Sequence, residues 1–143
     1  MRAATNLPSR YSVPSRIVID ASALVELLLQ TAVGARVGQA IGDAELVAPD
    51  VLNPEVLQGL RGLERGGKLT SARASKAVER LVESAIQRVP TLGLLQEAWS
   101  VRSNLSAYDA CYVTLARALG CPLLTIDRPL TRAPGLGIPL IVV

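Results

Sequence analysis

Asp20, Glu55, Asp109 and Asp127 stand out among the twelve acids of the chain by their settings. Each lies at or close to the junction between an apolar segment and the element that follows. Brought together, four carboxylates would repel one another and take up protons unless a cation balanced them. Hard oxygen ligands of this kind suit Mg2+ or Mn2+, which keep part of their water shell. Such a cation activates water for attack on phosphorus and neutralises the leaving oxygen, so the chemistry within reach is phosphodiester hydrolysis. One ion or two would serve. The chain has no His. That removes the usual general base, the Ser-His-acid and Cys-His nucleophiles and most zinc sites, and it favours direct attack by water over a covalent intermediate.

Each acid also has an ordinary structural role open to it. Asp20 follows Ile17-Val18-Ile19 and precedes Ala21-Ser22-Ala23, where an Asx turn or helix cap is common. Ser22 competes for the cap, which would leave the Asp20 carboxylate for another partner. Asp127 repeats the pattern after Leu123-Leu124-Thr125-Ile126. The Thr125 hydroxyl can bind water, a carboxylate or phosphate at that rim, or Thr125 can serve only as a strand former. Glu55 flanks the apolar path of Val56 and Leu60 and would be unremarkable if solvated. Asp109 falls in the first turn after Ser106, where the helix dipole favours an acid; its small neighbours Ala110 and Cys111 permit close approach by another element.

The elements that must position these residues are legible as alternating strands and helices. Ordered structure is expected from Arg16, with a strand through Ile19 and a helix carrying Ala23, Leu24, Leu27 and Leu28 inward. A helix over about 33–41 stops at Gly42. A strand over 45–48 precedes a helix to Leu63 that Asp50 can cap, with Val56, Leu57, Leu60 and Leu63 as its apolar residues. Gly66-Gly67 breaks the chain. The strongest amphipathic pattern runs from Thr70 to Ile86, with Ala74, Ala77, Val78, Leu81, Val82 and Ala85 on one broad face. A weak strand over 89–92 is placed at an edge, or with Pro90 at the strand's entry, by that proline, and a helix is expected over 94–102. The helix after Ser106 ends at Gly120 and turns Tyr108, Tyr112, Leu115, Ala116 and Leu119 inward. Strands over 121–126 and 138–143 close the chain. The alternation predicts a three-layer α/β/α sandwich around a mainly parallel sheet, in which ligands collect beyond the carboxyl ends of the strands.

At 143 residues the chain fits one domain with a sizeable core. With half its residues apolar and no Phe, the core must be aliphatic. Residues 1–15 are polar, contain two Pro and read as a flexible extension preceding a domain over 16–143. Thirteen Arg and two Lys give a net charge of +3. Setting aside Arg2 and Arg10 of the extension leaves thirteen cations against twelve acids, too even a balance for nucleic-acid binding by bulk charge. Phosphate binding would need clustered Arg, metal or both; Arg102, Arg128 and Arg132 are the candidates. Cys111 and Cys121 make a poor disulfide framework and read as buried thiols. No apolar run approaches a membrane span and no signal core opens the chain, so a cytoplasmic protein is expected.

In combination, "IVIDASALVELL", "APDVLNPEVLQGL", "LSAYDACYVTLARALGCPLLTIDRPLTRA" and "GIPLIVV" cover nearly all of residues 16–143 and resemble the PIN-domain nucleases, among them the VapC-type toxins of bacterial toxin–antitoxin pairs. The resemblance implies an α/β/α fold, a Mg2+- or Mn2+-dependent endoribonuclease activity on RNA, and homodimers. It places Asp20, Glu55, Asp109 and Asp127 at the family's acidic metal positions, with Ser22 and Thr125 as polar site residues beside them. It further implies a small cognate antitoxin whose C-terminal segment wraps the toxin, often setting an Arg near the acids. The extension before residue 16 departs from the simplest family pattern. A PIN-like nuclease of housekeeping RNA processing and a catalytically silent α/β interaction module are the competing readings.

Overall fold

The structure, a computed structural model, describes residues 14–133 and 135–143. The expected extension lies outside the described residues except for Pro14 and Ser15. Pairing begins at Ser15, whose carbonyl accepts from the Glu45 amide at 2.9 Å.

Five strands form one sheet: β1 (Arg16–Ile19), β2 (Glu45–Pro49), β3 (Gln87–Val89), β4 (Leu123–Thr125) and β5 (Leu140–Val142). Their spatial order is β3-β2-β1-β4-β5, and every pairing is parallel. β1 is central, and Ile17, Val18 and Ile19 are all fully buried, as a strand covered on both faces requires. The helices are α1 (Ala21–Leu29), α2 (Ala32–Ile41), α3 (Leu52–Arg65), α4 (Ser71–Glu83), α5 (Leu95–Ser100) and α6 (Ala107–Leu119). The first four pack on one another through α1, whereas α5 lies on α6 and α6 lies on β1, β2 and β4. This is the expected three-layer sandwich.

Several boundaries differ from the sequence expectation. The weak strand falls earlier, at Gln87–Val89, because Pro90 cannot donate to the ladder; residues Thr91–Leu94 form a 3-10 turn instead. It is an edge strand, as Pro90 suggested. β4 begins at Leu123 rather than Cys121, and β5 is limited to three residues. The α4 helix stops at Glu83, short of Ala85. Val82 is 77% exposed and Leu57 is 47% exposed, so the apolar stripes of α3 and α4 are narrower than periodicity suggested. Both cysteines are free and buried, as expected.

Arginines tie these elements together. Arg80 Nη1 donates to the Leu28 carbonyl at 2.8 Å and Arg73 Nη2 to the Leu29 carbonyl at 3.1 Å. Both satisfy the C-terminal carbonyls of α1, where a cation is also favoured by the dipole. Arg88 reaches the carbonyls of Leu81, Ser84 and Ile86 together with Asn53 Oδ1 and Ser84 Oγ. Arg117 donates to the carbonyls of Gly135 and Leu136. Part of the Arg content therefore serves backbone acceptors. Gly34 marks a close approach: a Cβ there would sit 2.1 Å from the Glu26 carbonyl oxygen, where α2 crosses the end of α1.

Candidate metal centre

In a parallel sheet all strand carboxyl ends share one rim. β1 and β4 are neighbours from which the chain proceeds in opposite directions, to β2 and β3 on one side and β5 on the other. Such a switch point opens a crevice. Asp20 follows β1 and Asp127 follows β4, so both flank it. Glu55 lies in the first turn of α3, which follows β2. Asp109 lies in the first turn of α6, the helix that crosses beneath β1 and β2 before leading into β4.

Asp20 is 7% exposed, and its Oδ1 accepts from the Ala23 amide at 3.0 Å and the Ser22 hydroxyl at 2.7 Å. This corrects one expectation: Asp20, not Ser22, is the N-cap of α1. The extended backbone at Asp20 aims the carboxylate over the first helical amides, and Ser22 becomes a donor to it. Both bonds land on Oδ1. Capping and metal binding are thus compatible, because a carboxylate has a second oxygen. Thr125 is fully buried at the end of β4, and its Oγ1 accepts from the Asp127 amide at 2.9 Å.

Asp50 does not cap α3. Its Oδ1 accepts from the Thr91 amide at 3.2 Å and holds the end of β2 to the turn after β3, while Val51 takes the cap position without a side-chain bond. Ser106 caps α6 as expected, its Oγ accepting from the Asp109 amide at 3.1 Å. Tyr108 points outward at 57% exposed, against the expected inward orientation, and Tyr112 points inward.

Burial and neighbouring acid charge act on three of the four acids. Burial is the first cause that pushes the Asp20 carboxyl above the usual carboxylate range; Thr125, Ala23 and Ser22 oppose it with hydrogen bonds and the Asp109 charge reinforces it. Burial likewise raises Glu55, reinforced by Asp109 and Asp20 and opposed by the Tyr112 hydroxyl. Asp109 is raised by burial and by Asp127, with Ser106 opposing. Among the described residues the only ion pair is Lys76–Glu79 on the exposed face of α4, so none of the four has a cationic partner there.

The donor set suits a hard divalent cation: all carboxylate oxygens, no sulfur or imidazole. Glu55 Oε1 provides the sharper test, being fully buried and without a hydrogen-bond partner. A buried carboxylate oxygen in that state calls for a cation or donor. Among the described residues, no three Asp, Glu or Cys side chains already converge closely enough to enclose an ion. The four form an open group around the crevice. The residues fit a divalent cation in donor type and in uncompensated charge.

Tyr112 adjoins the candidate site, which the sequence alone does not indicate. It was placed on the buried side of α6, but its hydroxyl adjoins Glu55, and burial followed by the Glu55 charge pushes the phenol strongly up. Its spacing of three from Asp109 was the available signal, since both then share a helix face.

Among known proteins, the PIN domain family model matches residues 17–136. The chain is 38% identical over 127 residues to VapC ribonuclease Mb0985 of Mycobacterium bovis, covering 89% of this chain and 98% of that protein. It is 40% identical over 130 residues to ribonuclease VapC3 of Mycobacterium tuberculosis, covering 87% and 92% respectively. Two solved structures share the fold. PAE2754 from Pyrobaculum aerophilum aligns with a TM-score of 0.61 at 23% identity, covering 87% of this chain and 90% of that one. VapBC2 from Rickettsia felis, bound to a promoter DNA fragment, aligns with a TM-score of 0.62 at 9% identity, covering 89% and 98%.

Proposed function

The chain belongs to the PIN-domain family and is homologous to VapC toxins, and from that premise we propose that it is a Mg2+- or Mn2+-dependent endoribonuclease acting as the toxin of a toxin–antitoxin pair. What supports the reading is the position of Asp20 and Asp127 at the ends of adjacent parallel strands, with Asp20, Glu55 and Asp109 raised by burial and by neighbouring acid charge and without cationic partners among the described residues.

These four residues would hold the cation. When bound, it supplies an activated water for attack on the phosphorus and offsets the charge developing on the leaving oxygen. The chain's own groups do the rest. Ser22 and the Ala23 amide fix Asp20 through Oδ1, which leaves Oδ2 outside both bonds. Thr125 accepts from the Asp127 amide, so its hydroxyl hydrogen is available to Asp20 and couples the two strand-end acids. The chain has no His, so the usual base of a serine or cysteine nucleophile is missing, which favours direct attack by water.

Grip on the phosphate backbone falls to exposed Arg beside the crevice. Arg128 and Arg132 lie in the 3-10 turn directly after Asp127, without ion-pair partners among the described residues. Arg102 stacks on Trp99, 4.6 Å from the ring centroid, near the start of α6. A guanidinium there can meet a phosphate bidentately. The cognate antitoxin and a second copy of the chain are the protein partners proposed. No helix among the described residues is long and apolar enough to cross a membrane.

The test is cleavage of single-stranded and folded RNA by the purified chain under Mg2+ and Mn2+ titration, with and without the protein encoded beside its gene. Metal-dependent cleavage abolished by Asp20→Asn and by the neighbouring protein supports the reading. Metal-independent cleavage, or none with any RNA at saturating metal, refutes it.

A further inference from the structure

Tyr112 is 2% exposed, one helical turn beyond Asp109 on α6, with its ring in the main core. Its hydroxyl oxygen is fully buried and completes no hydrogen bond, and Glu55 Oε1 is in the same condition. The two groups are neighbours, close enough to affect each other's proton binding. Two adjacent buried polar atoms of opposite hydrogen-bonding character, each without a partner, are an unusual pairing. A phenol can donate; an ionised carboxylate can only accept.

We propose that Tyr112 is a positioning residue: its hydroxyl donates to the Glu55 carboxylate and fixes which of the two oxygens faces Asp20, Asp109 and Asp127. Glu55 is carried by α3 and has no hydroxyl or amide of its own segment bonded to it among the described residues, unlike Asp20 with Ser22 and Ala23. Tyr112 supplies that support from α6. A charge-assisted O–H···O bond is short and directional, so it restricts a flexible Glu side chain before any cation arrives. The inference rests on the reading of Glu55 as a cation ligand only for its consequence; the Tyr112–Glu55 bond is testable without metal.

Tyr112→Phe keeps the ring and its packing. The experiment is a double-mutant cycle of urea unfolding with Glu55→Ala, in chelator at neutral pH, followed by Mn2+ calorimetry on wild type and Tyr112→Phe. With Glu55 present, Tyr112→Phe should raise the unfolding constant about tenfold; in the Glu55→Ala background it should have less than about a twofold effect. Mn2+ should bind Tyr112→Phe about tenfold more weakly, and RNA cleavage lost by the variant should return at high Mn2+, which a purely structural defect would not allow.

Equal effects of Tyr112→Phe in both backgrounds would overturn the proposal, as would unaltered Mn2+ affinity. Should Glu55→Ala fail to fold, Tyr112→Phe alone decides the cycle's question: a metal-free variant as stable as wild type or more so leaves no bond to Glu55. Wild type that binds Mn2+ without cutting RNA would remove the nuclease reading and leave Tyr112's role standing. Wild type that binds no Mn2+ removes it too, and the cycle then decides alone.

Discussion

Asp20 has two tasks that substitution can separate. Its Oδ1 caps α1 and accepts from Ser22, while its carboxyl lies buried within reach of the Asp109 charge. Asp20→Asn keeps an acceptor oxygen for the Ala23 amide and removes the charge; Asp20→Ala removes both. Loss of an N-cap costs about 1 kcal/mol, and a domain of this size shifts roughly 4 °C in Tm per kcal/mol. Burial disfavours the charged form of Asp20, so removing the charge relieves that strain when no cation is bound. In chelator, therefore, Asp20→Asn should melt at or above the wild-type temperature and Asp20→Ala roughly 4 °C below Asp20→Asn. In saturating Mn2+ the order reverses, because only wild type gains stability from binding. RNA cleavage should fall at least about 100-fold in both variants, since loss of a direct ligand exceeds the usual cost of losing its outer support. Differential scanning fluorimetry with and without metal, and cleavage of a labelled RNA, read all of this. A metal-free Asp20→Asn variant less stable than wild type and no better than Asp20→Ala would refute the reasoning.

Further outcomes follow from the same geometry. Asp20, Glu55 and Asp109 hold their protons more tightly when folded than unfolded, so the destabilisation they cause is absent below the unfolded value of about 4 and complete above their raised folded values. Metal-free protein should accordingly gain Tm as pH falls from 7 towards that range, and Mn2+ should abolish or invert the trend; a metal-free Tm that declines steadily over the same range contradicts this. Arg88→Lys should cost about 1.5–3 kcal/mol in urea unfolding, because one ammonium does not reproduce five contacts to α3, α4 and the link after α4, and should leave RNA cleavage intact. Gly34→Ala should cost about 2–3 kcal/mol, since its Cβ meets backbone rather than a movable side chain; a melt within 2 °C of wild type would show that α2 can shift.

What could be read from the chain beforehand followed from physics that acts locally. An apolar β-branched run ending in Asp marks a strand end, and two such ends imply a shared rim once the sheet is parallel; Asp20 and Asp127 were found that way. Ser106 and Gly120 bound α6 by cap chemistry alone. The misses all involve side-chain direction or distant partners. Asp20 outcompetes Ser22 for the cap because the extended backbone at the strand end already directs its carboxylate at the first amides. Tyr108 and Tyr112, four apart, share a face of α6, but Tyr112 reaches the packed part of that face whereas Tyr108, in the first turn, stays 57% exposed. No local pattern announces that Arg73, Arg80 and Arg88 satisfy carbonyls of other elements, and so none could show that part of the Arg content is structural.

The most direct measurement of the central claim is anomalous scattering from Mn2+ in crystals of the wild-type chain. A peak at the crevice, within coordination distance of oxygens from Asp20, Glu55, Asp109 and Asp127, is the result expected. A Mn2+ peak elsewhere, or full metal saturation with Glu55 or Asp127 turned away from Asp20 and Asp109, would contradict it.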